Sequence, residues 1–428
     1  MVILSLIGIV VAIALFIFMS VKKWPTYLVA IIAAIIVAVF DLTNPYTAVT
    51  TTYMEGAASF FSGYFLLFLM SALFGKVLDV TGCARRIALS LGGLTKRTKN
   101  PGFWAVLMLT FFYLLLIYIG VNGFVIAFTA LCVGRELFST NDVPWRLYPY
   151  GSAGMMAGTV LAGSYGTGNI VISTAFGVPT TAGVALSLIF VVIYLCILAL
   201  VLKGELRTAH KNGEGFLPSG QAIAQANVTM DTQNLPSTWN AVICLLVPIV
   251  IIFTLQFPAV LSLLIAIVVC IVLNWKRIPD PVKTITDGLG SAIVPVINVC
   301  AVFGLAAVIE NTTGFASISS LLQSLPGVLP AVVLGLLMSA TVNNYYSFAG
   351  TYAEWMTAAG VSAATGARLM TMVSFAGMVP HSPGVINGIL LTKLDFKAAV
   401  KSYLKACMIP GAIAISVCVI LVSLGVFI

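Results

Sequence analysis

Residues 55–82 read EGAASFFSGYFLLFLMSALFGKVLDVTG, and residues 287–314 read DGLGSAIVPVINVCAVFGLAAVIENTTG. Each stretch opens on an acid followed by Gly, carries Ser four residues after the acid, and closes on Thr-Gly. The offset is constant at 232 residues, from 55 to 287 and from 82 to 314. Further along, Pro101-Gly102 matches Pro326-Gly327 and Val121-Asn122 matches Val342-Asn343, after small deletions. Matches that recur in one order indicate an internal duplication.

Charge sets the direction of each copy. The connection 81–100 carries Arg85, Arg86, Lys96, Arg97 and Lys99, whereas its counterpart 311–325 has no charge. Conversely, 41–58 holds acids and no base, while 275–290 holds Lys276, Arg277 and Lys283. Basic loops stay in the cytoplasm, so equivalent loops lie on opposite faces and the repeats are expected to be inverted. With the amino terminus outside, all 21 Lys and Arg except Arg368 fall on the cytoplasmic side. Both termini are then periplasmic or extracellular.

Composition fits only a polytopic membrane protein. Of 428 residues, 60% are hydrophobic and 8% charged, with a mean hydropathy of +1.10. A soluble surface needs far more charge than that. The net charge of +8 comes from short basic clusters between apolar runs, without the aromatic-interleaved stripe that nucleic acid requires. The eight cysteines are scattered with no Cys-x-x-Cys pair, so they read as small core residues with no metal motif among them. Residues 2–20 lack a basic start and read as a first span, not a cleaved signal.

Apolar stretches long enough for a bilayer fall at 2–20, 25–40, 60–80, 101–138, 150–178 and 182–202, then at 240–256, 258–274, 291–310, 326–359, 365–394 and 404–428. The polar segment 203–238 separates residues 1–202 (repeat 1) from 239–428 (repeat 2) and reads as a cytoplasmic linker of little order. Residues 326–359 give two arms too short for full spans, which predicts a re-entrant hairpin. Symmetry extends this to 101–138, where two full spans would also return the chain to the same side. The fold class expected is an all-α polytopic membrane protein with two inverted repeats. Each has about five spanning helices, one re-entrant hairpin and one broken helix, at about 150–178 and 365–394.

Four polar interruptions carry the candidate chemistry. The hairpin tips are Gly120-Val-Asn122-Gly123 and Thr341-Val-Asn343-Asn344; the helix breaks are Gly163 to Asn169 and Gly377 to Gly384. Gly and Pro there free backbone groups, and half-helix N-termini favour a carboxylate. The expected substrate-binding residues are Asn122, Gly123, Ser164, Thr167, Asn169, Thr341, Asn343, Asn344, His381 and Ser382. A coupling ion is expected at His381, Glu354, Asn122 or Asn343, as a proton on a side chain or as Na⁺ on carbonyls near 120–123 and 341–344. Asp79, Glu310 and Glu354 read more readily as ion-pair or interface residues. No phosphate loop, Gly-x-Ser-x-Gly or His-Glu-x-x-His is present, which removes ATP hydrolysis and the common hydrolytic chemistries. No cofactor is expected. The alternatives are a membrane-embedded lipid-carrier transferase, which would want clustered acids, and a gated anion channel.

The segment LFGKVLDVTGCARRIALSL resembles an early signature of the gluconate permeases, the gluconate:proton symporters of the ion transporter superfamily. GLAAVIENTTG at 304–314 is similar to that family's second-half Ile-Glu-x-(Ser/Thr)-Gly element. MSATVNNYYSFAGTYAEWMTAAG resembles its second hairpin, which carries over Ser339, Ala340, Thr341 and Val342, and VPHSPGVINGILLTKLD resembles a Pro-rich break. One departure stands out: His381 is followed by Ser382 and Pro383, where the family's second-half break usually reads Val-Asn-Asp. The resemblance implies a homodimer in a bacterial inner membrane, with a static scaffold and a mobile transport domain working as an elevator. It also implies cation-coupled symport of a small organic carboxylate, such as a hydroxy, keto or sugar acid.

Overall fold

The computed structural model describes residues 1–22, 24–95, 98–121, 123–225, 235–255, 257–342, 344–380 and 382–427. Asn122, Asn343 and His381 therefore lie outside the described residues. The protein is helical, with no strand among the described residues. In lipid only internally satisfied backbone survives, and the helix is the local way to achieve that. Among the described residues, seven helices are long and apolar enough to cross a membrane.

In the first half these elements are α1 (Val2–Val21), α2 (Thr26–Phe40), α3 (Pro45–Val80, with a π-helical turn at Ala48–Tyr53), α4 (Cys83–Thr95), α5 (Pro101–Tyr118), α6 (Gly123–Thr140), α7 (Gly154–Val160), α8 (Thr167–Ala175) and α9 (Val184–Lys211). The second half has α10 (Thr238–Thr254), α11 (Ala259–Asn274), α12 (Pro281–Glu310), α13 (Thr313–Gln323), α14 (Leu329–Val342), α15 (Ala349–Ala358), α16 (Ala363–Met372), α17 (Pro383–Thr392) and α18 (Phe396–Ser423, with a π-helical turn at Leu404–Met408). Residues 101–140 and 329–358 are helix–tip–helix units, and 148–175 and 363–392 are broken helices, as their Gly and Pro content predicts.

The two stretches quoted at the outset, α3 and α12, pack on each other along most of their length. Small residues allow the close approach. A Cβ on Gly56 would come within 2.7 Å of the Phe303 carbonyl oxygen and 2.6 Å of the Ala307 Cβ. Gly288, its match at the 232-residue offset, lies against Leu73 and Lys76, where a Cβ would sit at 3.0–3.1 Å. Early residues of each helix thus meet late residues of the other, so the pair is antiparallel and its contacts are reciprocal. Lys76 reaches Asp287 at 3.9 Å at one end of the pair.

The same reciprocity extends outward. α4 packs on α10, and α13 packs on α1. Gly82 closes against Leu235 and Pro236 just before α10, while the Gly314 amide donates to Ser5 Oγ of α1 at 2.9 Å.

Part of the polar segment 203–238 is ordered: residues 203–211 form the last turns of α9, and 214–224 dock on the loop before the first broken helix. The Phe216 amide donates to Asp142 at 2.8 Å, and Arg146 bridges Glu205 at 3.0 Å and Glu214 at 2.6 Å. Lys405 also pairs with Glu205. Charge pairing and the Arg146–Ser219 contact order a stretch whose polarity alone suggested a loose chain.

Candidate functional site

The first broken helix stops because its backbone cannot continue. Gly163 adopts φ +86°, a left-handed conformation that costs a side-chain-bearing residue dearly. The groups freed there are then satisfied locally. The Gly163 amide donates to the Thr180 carbonyl at 2.7 Å, and the Ala162 amide to Ser187 Oγ at 3.2 Å. Ser164 Oγ accepts from the Gly166 amide at 3.1 Å. Asn169 closes the loop by donating to the Ser164 carbonyl at 2.7 Å, and its Oδ1 accepts from Ser173 at 3.4 Å. Ser164 and Asn169, expected to line a pocket, are fully buried and staple the break together.

The first hairpin tip rests on this break. Tyr165 donates its amide to the Tyr118 carbonyl at 2.8 Å, and the Tyr118 hydroxyl donates to the Ala162 carbonyl at 3.2 Å. Gly120, at φ +84°, lies so close to Tyr165 that a Cβ would come within 2.7 Å. Between tip, break and α3 lies a cavity of about 50 Å³ lined by Leu67, Ser71, Gly120, Gly123, Gly166 and Thr167, among others. Gly123 begins α6 and Thr167 begins α8, so two helix N-termini reach one small cavity. Among the described residues expected to bind substrate, Gly123 and Thr167 are the two that line it.

The second hairpin tip is different. The short 3-10 turn Tyr345–Phe348 separates α14 from α15. Asn344 is 3% exposed, and neither end of its amide has a partner among the described residues. The Tyr345, Tyr352 and Ser374 hydroxyls are likewise buried without partners. The Tyr345 hydroxyl abuts Gly168, which brings this tip to the first break. Ser339 of α14 donates to the Ser374 carbonyl at 3.3 Å. Thr341 Oγ1 donates to the Leu337 carbonyl of its own helix at 2.7 Å, and Ser382 is buried beyond the second break.

A larger cavity, about 320 Å³, lies where α3 and α12 face α8 and the second hairpin. Its polar lining comes from Ser59, Tyr64, Glu310 and Ser347. Glu310 ends α12 and accepts from Thr351 Oγ1 at 3.0 Å; among the described residues it has no basic partner. Glu354, expected as a coupling residue, is instead exposed on α15, one turn beyond Thr351. Sequence reasoning gave Glu310 an interface role. The repeat offset pairs it with Leu78, so the duplication itself marks Glu310 as an acid added at an apolar position.

Arg368, the lone base expected on the outer side, is fully buried. It donates to Ser173 Oγ at 2.9 Å and to the Val160 carbonyl at 3.5 Å, at the C-terminal ends of α8 and α7. Its positive charge complements those two half-helix dipoles. Asp79 behaves as anticipated and pairs with Arg85 at 3.6 Å.

The sequence signature of the GntP family permeases matches residues 4–260, more than half of the chain. The chain belongs to the GntP permease family. It is therefore a multi-pass membrane transporter, which accords with its seven apolar helices. It is also 25% identical over 361 residues to the uncharacterized transporter YxjC of Bacillus subtilis (strain 168), covering 74% of this chain and 75% of that one. Among solved structures, the Alcanivorax borkumensis YdaH transporter, described as having an unusual topology, aligns over 89% of both chains at 12% identity with a TM-score of 0.47.

Proposed function

We propose that this permease carries out cation-coupled symport of a small organic carboxylate, and that the carboxylate binds where α6 and α8 begin. The observation that carries this reading is the convergence of two helix N-termini, at Gly123 and Thr167, on one cavity. Unpaired N–H groups and helix dipoles there favour an anion. Gly120 and Gly166 leave the backbone uncovered, and Ser71 and Thr167 add neutral hydroxyls.

The orphaned groups of the second hairpin supply a second argument. A buried polar group without a partner costs about 1–3 kcal/mol, and no water in the hydrocarbon core offsets it. Asn344 and Tyr345 are thus prepared to bond substrate or ion when the transporter is loaded. We assign the coupling proton to Glu310, whose carboxyl lines the larger cavity and has Thr351 as its neutral hydrogen-bond partner.

The larger cavity separates the α3–α12 pair from α8 and the second hairpin. We assign α3 and α12 to a static scaffold and the hairpins with the broken helices to a mobile unit that carries substrate as an elevator. The reciprocal α3–α12 contacts support two inverted repeats; a dimer with both termini outside belongs to the same proposal and rests on the family resemblance and the loop charges.

Uptake of labelled carboxylates into proteoliposomes under imposed proton or sodium gradients tests the whole reading. A proton gradient should drive uptake, and Glu310→Gln should remove that dependence. Uptake that follows sodium alone, or is unchanged in Glu310→Gln, would remove Glu310 from its role. Filling the small cavity with Gly166→Leu should abolish uptake. Unaltered kinetics in that variant would refute the carboxylate site.

A further inference from the structure

Three cysteines that are far apart in sequence meet at one corner of the bundle. Cys83 opens α4, Cys244 lies in α10, and Cys270 lies in the last turns of α11. All three are free thiols and fully buried, and their sulfurs lie within 4.8 Å of one another.

The side chain beside them is equally unusual. Asn274, 1% exposed, donates from Nδ2 to Asn240 Oδ1 at 3.0 Å and to the Cys270 carbonyl at 3.0 Å. Nδ2 also lies 3.4 Å from Cys244 Sγ. Those acceptors fix the orientation of the amide. Its Oδ1 is left buried with no partner among the described residues, on a side chain that touches Cys244.

We propose that Cys83, Cys244 and Cys270 form a soft-metal site that takes one d¹⁰ cation, Zn²⁺ in the first instance, with Asn274 Oδ1 as the neighbouring oxygen donor. Thiolates select such ions. At Zn–S bonds of about 2.3 Å, tetrahedral geometry sets sulfurs about 3.8 Å apart. Each sulfur therefore needs to move by less than about 1 Å, within side-chain rotation. On binding, Zn²⁺ displaces the three thiol protons, and three protons leave as one tris-thiolate complex of net charge −1 forms. The N-terminus of α4, at Cys83, favours that negative charge.

Packing alone does not call for sulfur here. The corner related to this one by the repeat offset is built from α1, α2 and α13, which contain no cysteine, and Phe315 stands at the offset of Cys83. A bound ion would tie α4 of the first half to α10 and α11 of the second, and none of the three cysteines lines the cavities at the hairpin tips.

The experiment uses the full-length protein in detergent, with Cd²⁺ as a spectroscopic probe and Zn²⁺ as competitor. Titration should give a thiolate-to-cadmium charge-transfer band that saturates at one ion per chain and is reversed by Zn²⁺. Cys83→Ala, Cys244→Ala and Cys270→Ala should each lose most of the band, and Cys300→Ala and Cys418→Ala should keep it. Should the three variants fold poorly, the wild-type protein still decides the matter. Zn²⁺ should slow alkylation of the peptides holding Cys83, Cys244 and Cys270 by tenfold or more, and leave the other cysteines unchanged. No stoichiometric band, or protection confined to other cysteines, would overturn the site.

Discussion

The first helix break and the second hairpin tip solve the same problem in opposite ways. Both interrupt helices inside an apolar bundle, and both are rich in Asn, Ser and Tyr. At 161–169 the Ser164 and Asn169 side chains bond backbone groups of the break, Ser173 bonds Asn169, Ser187 accepts from the Ala162 amide, and the Tyr165 hydroxyl donates to the Pro248 carbonyl. At 344–352 the Asn344 amide and the hydroxyls of Tyr345 and Tyr352 are buried with no partner. An interruption alone does not make a binding site. What makes one is hydrogen-bonding capacity left over once the interruption has satisfied itself.

Three variants test that contrast, and a fourth serves as a control. The largest effect on stability is expected from Asn169→Ala, which removes both staples of the first break and leaves the Ser164 carbonyl and Ser173 hydroxyl without them. A loss of about 1–3 kcal/mol should appear as a fall of several degrees in Tm. A Tm equal to wild type would mean the break is held by something else. Asn344→Ala should do the reverse. Removing an amide that has no partner in the protein should leave Tm unchanged or raise it, while uptake falls about tenfold, the equivalent of one hydrogen bond of about 1.4 kcal/mol. Equal losses of stability in Asn169→Ala and Asn344→Ala would collapse the distinction.

A smaller effect is expected of Ser187→Ala, which deprives the Ala162 amide of its acceptor. The expected cost is about 1 kcal/mol, read from thermal unfolding with transport preserved. The smallest concerns neither interruption, and serves as a control outside the membrane. Arg146 and Asn212 bond Glu214 and hold its carboxyl below the ordinary value of 4.5. A depressed folded-state pKa stabilises above the unfolded value, and that contribution is lost as pH falls through the depressed value. Because the Glu214 side chain is partly open to solvent, screening keeps the effect small. Glu214→Gln should slightly lower Tm at neutral pH and converge with wild type as pH falls through the depressed value; an equal Tm at neutral pH would contradict the assignment.

Much of the architecture could be read from residues alone. Pro101-Gly102, Gly120 and Gly163 mark helix starts and stops because proline and glycine act on their own backbone. The helices begin and end close to where those residues predict. The role of Asn169 could not be read this way. An Asn in a Gly-rich break has the same local signature whether it binds substrate or its own carbonyls, and only the position of Ser164 and Thr180 distinguishes the two. Glu354 and Glu310 show the same limit. Both are acids in apolar surroundings, but which one faces a cavity depends on how α12 and α15 pack.

The sequence by itself determined the membrane class, the helical elements, the duplicated pattern at 55–82 and 287–314 and the positions of the four interruptions. These follow from hydropathy, charge and backbone chemistry, which are local. Only the tertiary structure decided which polar groups were left unpaired, that Arg368 is buried at two half-helix ends, and that Cys83, Cys244 and Cys270 share one corner. Those facts depend on distances between residues that lie on different helices and well apart in the chain. Packing fixes such distances, and no local pattern in the sequence encodes them.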